Sequence, residues 1–200
     1  MLNSANSPVL CLASASPRRR ELLASIGVAV EVCPVGIDES VHPGEAAADY
    51  VLRLARAKAL AGSRRSPLPS LGSDTAVVCD GAILGKPRDR DHAAAMLRRL
   101  AGRSHEVLTA VALNGQAGLL DACVVTRVIM RPISEAEIAA YWGTGEPLDK
   151  AGGYAIQGYA AVFVERIEGS HSAVVGLPLF ETASLLERQG VPCWNRAVSR

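Results

Sequence analysis

The fold is decided by Val9-Leu10-Cys11-Leu12-Ala13-Ser14-Ala15-Ser16-Pro17-Arg18-Arg19-Arg20-Glu21-Leu22-Leu23-Ala24-Ser25-Ile26-Gly27. The run Val9 to Ala13 is short, apolar and stopped by a Ser/Pro turn, the pattern of a buried first strand. Ser16 suits the N-cap of a following helix and Pro17 its first position, while Leu22, Leu23 and Ile26 form an apolar face and Gly27 ends it. Strand, tight turn and helix in immediate succession are the opening unit of an α/β protein.

Outward from that unit, Val28 to Val32 alternates as a second strand, and Glu45 to Leu60 repeats Val51, Leu52, Leu54, Ala55 and Ala59 at helical spacing before Gly62. Ser63 to Ser70, rich in Arg, Ser and Pro, is expected as a surface loop. A strand is expected over Thr75 to Cys79, turning at Asp80-Gly81 into Ile83-Leu84. The spacing predicts a helix over Asp89 to Leu100 and a long hairpin from Glu106 to Leu113 and Leu119 to Met130, turning at Asn114-Gly115. Ser134-Glu135-Ala136-Glu137 is a capping box opening a short helix that ends near Gly143. Gly145 to Gly158 reads as a Gly-rich connector, Ala160 to Ile167 as a strand, Ser170 to Pro178 as a loop, and Leu179 to Leu186 as a last helix. Helices interleave with strands early and hairpins dominate later, so a mixed sheet with flanking helices is expected, in a single domain over residues 1–200.

The composition narrows the functions available. The chain has 200 residues, 49% hydrophobic and 20% charged, with a formal net charge of +1. So even a balance gives no global field for nucleic acid or an anionic membrane, and aromatics, at 4%, do not interleave with the arginines as a single-strand binder requires. No apolar run is long enough to span a membrane, and the start does not read as a secretory signal, so the expectation is a cytoplasmic protein. Five cysteines, an odd number with no C-x-x-C, fit a reducing compartment, and four scattered histidines offer no zinc spacing. Of the 21 basic residues only Lys58, Lys86 and Lys150 are lysine. Either codon bias alone or a need for a compact point charge explains where lysine persists.

Three segments carry chemistry. In Ser14-Ala15-Ser16-Pro17-Arg18-Arg19-Arg20, free N–H groups at a helix start, two hydroxyls and guanidinium forks make a site for phosphate. Ser-Pro is also a plain helix start, but cations are unfavourable at that end unless something negative compensates them. In Gly72-Ser73-Asp74-Thr75, Asp74 is either a turn residue or, with Asp38-Glu39, a source of hard oxygen ligands for Mg²⁺ or a base toward water. Lys86, in Leu84-Gly85-Lys86-Pro87, would add positive charge. The third segment runs from Asp149 and Lys150 through Gly152-Gly153 to Gln157-Gly158. Its glycines permit close backbone approach, and Gln157 offers both donor and acceptor for reading a base edge. A flexible turn with an incidental Gln is the plainer reading.

These segments resemble the Maf family of nucleoside triphosphate pyrophosphatases. The likeness extends in order over almost the whole chain: Ala13 to Arg19, Asp38-Glu39, Leu54 to Ala59, Ser73-Asp74-Thr75, Leu84 to Pro87, Asp149 to Gly158, and Val175 to Pro178. The resemblance implies a mixed twisted sheet with flanking helices, in two lobes around a cleft, similar to the inosine triphosphate pyrophosphatase fold. It implies hydrolysis of a nucleoside triphosphate to the monophosphate and pyrophosphate with a divalent metal, Mg²⁺ or Mn²⁺, and it suggests a homodimer. Carried over by residue, Asp74 is the proton acceptor and Glu39 and Lys86 further catalytic groups, with Glu39 and Asp74 toward the metal. Substrate binding falls to Ser14, Ser16, Arg18, Arg19, Lys58, Thr75, Lys150 and Gln157. The combination of Arg18, Thr75 and Gln157 looks like the branch preferring dTTP and UTP over the one acting on 7-methyl-GTP. Ser73 stands where Ala is frequent, and Ala155 where Gly is frequent. The competing reading is a nucleotide-binding regulator of cell division without turnover.

Overall fold

The opening strand and helix form as expected, as β1 (Leu10–Leu12) and α1 (Pro17–Ser25), in a computed structural model that describes residues 7–194. They are followed by β2 (Val30–Val32), α2 (Ala47–Gly62), β3 (Ser70–Cys79), β4 (Ala82–Leu84), α3 (Arg90–Leu100), β5 (Ser104–Gly115), β6 (Gly118–Met130) and α4 (Glu135–Gly143). Three 3-10 turns, at Glu146–Asp149, Ala151–Gly153 and Tyr159–Phe163, precede β7 (Val164–Glu168), α5 (His171–Val175) and α6 (Leu179–Arg188). The seven strands form one sheet in the order β2-β1-β3-β5-β6-β7, with β4 beside β3. β1 runs parallel to β2 and β3, whereas β3/β4 and β6/β7 are antiparallel, so the sheet is mixed. Among the described residues no helix is long and apolar enough to cross a membrane.

The chain divides into two compact units. Of the described residues, the first comprises 7–74, Ala110–Cys123 and 176–194; the second comprises Thr75–Thr109 and Val124–Val175. In the first unit Leu10, Leu12, Leu23, Leu71, Leu113, Leu177 and Leu186 are fully buried, each contributing roughly 2 kcal/mol of apolar transfer. The second unit has its own core, in which Leu97, Leu100, Val128 and Met130 pack with Ile138, Tyr141, Tyr154 and Phe163.

Several boundaries differ from the sequence reading, each for a visible reason. β3 begins at Ser70 rather than Thr75, because Ser70, Leu71, Gly72 and Ser73 are buried strand residues despite the weak strand preference of Gly and Ser. The β5/β6 hairpin turns at Gln116-Ala117 with Gly118 at φ 77°, not at Asn114-Gly115. Asn114 instead donates to Ser63 Oγ at 2.8 Å, and a Cβ on Gly115 would lie 2.7 Å from Gln189 Oε1, so these two residues serve packing. The strand expected from Ala160 starts only at Val164, after a 3-10 turn, and His171–Val175 is helical where a loop was expected.

One buried histidine makes the fold pH-sensitive. His105, 3% exposed, meets the Tyr154 hydroxyl at 2.7 Å and Tyr154 edge-on, and burial pulls its pKa from 6.5 down to about 4. The unfolded chain therefore takes up the proton first on acidification, so this contribution to stability is complete above pH 6.5 and is lost between 6.5 and 4. Denaturant unfolding should show stability falling over that window by up to about 3 kcal/mol, with a shallower slope in His105→Asn; identical slopes would contradict the assignment.

Candidate functional site

α2 buries Val51, Leu54, Ala55, Lys58, Ala59 and Gly62, a helical face on which Lys58 is the one charged residue. Its neighbours are small for a reason. A Cβ on Gly72 of β3 would lie 2.3 Å from the Ala55 carbonyl oxygen, 2.5 Å from Ala59 N and 2.8 Å from Lys58 Cβ, so only glycine lets β3 come so near the helix. Two residues along β3, Asp74 accepts from the ammonium, Oδ1 lying 2.6 Å from Lys58 Nζ. Lys58 Nζ also pairs with Glu39 Oε1 at 2.7 Å. The Lys58–Asp74 side chains are 10% and 12% exposed, whereas that of Glu39 is 54% exposed. The first pair is thus a desolvated one, and the second is an arm reaching in from solvent.

Glu39 is held by a strap that the sequence reading did not identify. Tyr50 donates to the Glu39 carbonyl at 3.0 Å. Arg53 grips Glu45 through two bonds of 2.6 and 2.7 Å, donates to the Ser40 carbonyl at 2.9 Å, and lies over the Tyr50 ring. That hydrogen-bonded guanidinium pulls the Glu45 carboxyl down to about 2. Asp38, the neighbour of Glu39, accepts from Ser40 N at 2.9 Å and so makes a local turn. An arginine five residues before Lys58 on the same helix was the available signal for the strap.

The start of α1 belongs to the same unit. Arg19 donates through Nε to the Gly176 carbonyl at 2.8 Å and through Nη1 to Ser14 Oγ at 3.1 Å. Ser14 Oγ accepts from Ser16 N at 3.2 Å, and Ser16 sits at the N-cap without a side-chain capping bond. Ser73 Oγ donates to the same Gly176 carbonyl at 3.0 Å, tying the residue before Asp74 to Arg19. No acidic residue lies in the first turn of α1. Burial holds the Arg19 guanidinium below its ordinary value, aided by Arg18, while Asp74 and Glu39 pull it back up. Ser14, Arg19, Glu39, Lys58 and Asp74 therefore form one polar neighbourhood in the first unit, with Ser16 and Arg18 on its border.

Thr75, Lys86, Lys150 and Gln157 belong to the second unit. Thr75 Oγ1 lies 3.0 Å from Thr109 Oγ1, which donates to the Ala173 carbonyl at 2.7 Å. Thr109 has one proton and gives it to that carbonyl, so Thr75 is the donor between the two hydroxyls and turns only lone pairs outward. Lys86 is exposed after β4, and Lys150 donates to the Glu146 carbonyl at 3.2 Å and pairs with Asp149. Gly152 N donates to Gly85 O at 3.0 Å, stitching the Lys150 segment to the Lys86 turn; Gly152, at φ 69° and against Val77, has to be glycine. Gln157 is exposed. Glu146, which the sequence reading passed over, accepts from Tyr141, Tyr159 and Ala160 close to it.

Among the described residues no three or more His, Cys, Asp or Glu are grouped to hold a metal ion. Two carboxylates meeting at one ammonium fit the other pattern for Mg²⁺ or Mn²⁺, in which one or two carboxylates share the ion with substrate phosphate and water.

Guanidinium and hydroxyl groups at a helix start, beside a buried carboxylate held by lysine, suit a protein that grips phosphate and handles water. The chain belongs to the Maf family: the Maf-like protein family matches residues 9–189. A dTTP/UTP pyrophosphatase of Anaeromyxobacter dehalogenans is 56% identical over 198 residues, covering 95% of this chain and 99% of that one. The dTTP/UTP pyrophosphatase of Hahella chejuensis is 54% identical over 190 residues, covering 93% and 94%. A solved HAM1 protein from Coxiella burnetii matches 91% of this chain and 100% of its own with a TM-score of 0.51 at 16% identity, a likeness of fold that agrees with the mixed α/β architecture.

Removing the cation from the buried pair should be the costlier change. Lys58→Met is expected to lower unfolding free energy by about 3 kcal/mol, since it leaves Asp74 desolvated without a partner, and denaturant titration of the purified variant reads this directly. Stability equal to the wild type would show that the pair is not buried in solution.

Proposed function

We propose that this protein hydrolyses dTTP and UTP to the monophosphate and pyrophosphate. The observation that carries the reaction is Asp74, buried in β3 and fixed through Oδ1 by the Lys58 ammonium within reach of the Arg19 and Ser14 network. The relatives named above support the nucleotides. Support also comes from Thr75, whose outward lone pairs suit a ring N–H, and thymine and uracil carry one at N3.

In this reading Ser14, Ser16, Arg18 and Arg19 hold the phosphate chain, where guanidinium forks and helix-start N–H groups suit its oxygens. Lys58, Lys86 and Lys150 neutralise charge as compact ammonium groups. Glu39 and Asp74 would hold a divalent ion, Mg²⁺ or Mn²⁺, which when bound neutralises phosphate charge and acidifies water. Asp74 takes the proton of the attacking water as its oxygen bonds to the α-phosphorus. The bond from that phosphorus to the bridging oxygen breaks, and pyrophosphate leaves with the electron pair. Little covalent chemistry is asked of the protein, so positioning and charge stabilisation dominate. Thr75 and Gln157 read the base. Free cysteines throughout suit a cytoplasmic setting for this work.

The test is release of pyrophosphate and orthophosphate with Mg²⁺ over a matched panel of common, methylated and deaminated nucleoside triphosphates. Pyrophosphate release led by dTTP and UTP is expected. Asp74→Asn should lose a factor of order 10² to 10⁴ in turnover while retaining nucleotide affinity. Release led by a purine analogue would overturn the specificity, near-normal turnover in Asp74→Asn would overturn the base, and nucleotide binding without release would favour the regulator.

A further inference from the structure

Gln157 stands exposed next to buried neighbours, Ala155 at 4% and Ile156 at 7%, and its segment is gripped on both sides by residues from outside it. On the far side, Glu146 Oε2 accepts from Tyr159 N at 2.9 Å and Oε1 from Ala160 N at 3.2 Å. On the near side, the Tyr141 hydroxyl oxygen accepts from Ala155 N at 3.2 Å. The two grips are joined, because Tyr141 donates its hydroxyl proton to Glu146 Oε1 at 2.7 Å. Between them the carboxylate lies so close to Gly158 that a Cβ there would fall 1.9 Å from Oε2. Tyr141 is itself anchored, 3% exposed and edge-on to Phe163 with ring centroids 5.4 Å apart.

We infer that Tyr141 and Glu146 form a two-sided clamp that positions Gln157 against the pyrimidine ring, and so set base selectivity without touching the substrate. The inference rests on the proposed role of Gln157 in reading the base. Its chemical basis is that three donors, one O–H and two N–H, converge on one carboxylate. Only an ionised carboxylate offers two acceptor oxygens with no proton of its own. In Glu146→Gln one of those oxygens becomes an NH₂ facing a donor, so at least one grip is lost although size and shape are kept. Burial, followed by the nearby carboxylate, raises the Tyr141 pKa well above its ordinary value, which keeps the hydroxyl a donor. Main-chain tethers on both sides of a single exposed side chain restrict where its amide can point, and pre-organisation of that kind acts on binding rather than on the chemical step. Tyr141 and Glu146 are thus positioning residues.

The experiment compares wild type, Glu146→Gln, Gln157→Ala and the double variant, measuring kcat and KM for dTTP, UTP and CTP. Alongside it, hydrogen exchange is followed at the amides of Ala155, Tyr159 and Ala160. Glu146→Gln should raise KM for dTTP and UTP about tenfold, leave kcat within about twofold, and cut the preference for dTTP over CTP. The double variant should be no less selective than Gln157→Ala alone, and exchange at Tyr159 and Ala160 should quicken about tenfold in Glu146→Gln. Losses that multiply in the double variant, a uniform fall of kcat on every nucleotide, or wild-type selectivity in Gln157→Ala would each overturn the clamp. Should Glu146→Gln not fold, Tyr141→Phe, which removes the link and the acceptor for Ala155 N, carries the same comparison. A wild type that releases no pyrophosphate from dTTP or UTP overturns the proposed function instead, and unchanged exchange then overturns the clamp independently.

Discussion

One ammonium group organises the first unit. Lys58 lies on the buried face of α2, and its Nζ meets Asp74 at 2.6 Å and Glu39 at 2.7 Å. A lone lysine on a buried helix face would be costly, since desolvation disfavours its charged form. The carboxylate on β3 offsets that cost, and Gly72 together with Ala55 and Ala59 lets the strand come near enough to do so. The carboxylate that would take a proton from water is therefore fixed in place by the same contact that makes the helix and strand compatible. Under the proposed function, stability and chemistry share a single ion pair.

The second unit builds its polar positions from hydrogen-bond direction. Thr109 spends its proton on the Ala173 carbonyl, which leaves Thr75 acceptor-only toward solvent. Gly152 N binds Gly85 O and so joins the turns bearing Lys150 and Lys86. A loop as rich in glycine as 145–158 would by itself sample many conformations. Here backbone bonds and the Glu146 carboxylate restrict it, and entropy that such a loop would otherwise lose on binding a ligand is lost at folding instead.

Elements with strong local signals were legible in the sequence. The capping box at Ser134 and Glu137 is present with both of its bonds, and Asp89 caps α3 by accepting from His92 N at 2.7 Å. Lys58 and Asp74 could be picked out as residues of interest, and family resemblance grouped them with Glu39, Arg19 and Ser14. What local pattern cannot carry is a partnership across the fold. The early start of β3 was hidden because Gly72 and Ser73 are chosen for close approach and for bonding Gly176, not for strand preference. The Tyr50–Arg53 strap and the role of Glu146 were hidden because each is a common polar residue whose partners become apparent only in three dimensions.

In the proposed reaction Asp74, set by Lys58, directs water to the α-phosphorus. A single turnover of dTTP in ¹⁸O-labelled water, with the label located by mass spectrometry, shows which phosphorus that water attacks. One ¹⁸O in the thymidine monophosphate and none in the pyrophosphate is the expected result, at a rate that collapses in Asp74→Asn. Label in the pyrophosphate would place the attack on the β-phosphorus and overturn Asp74 as a base toward the α-phosphorus.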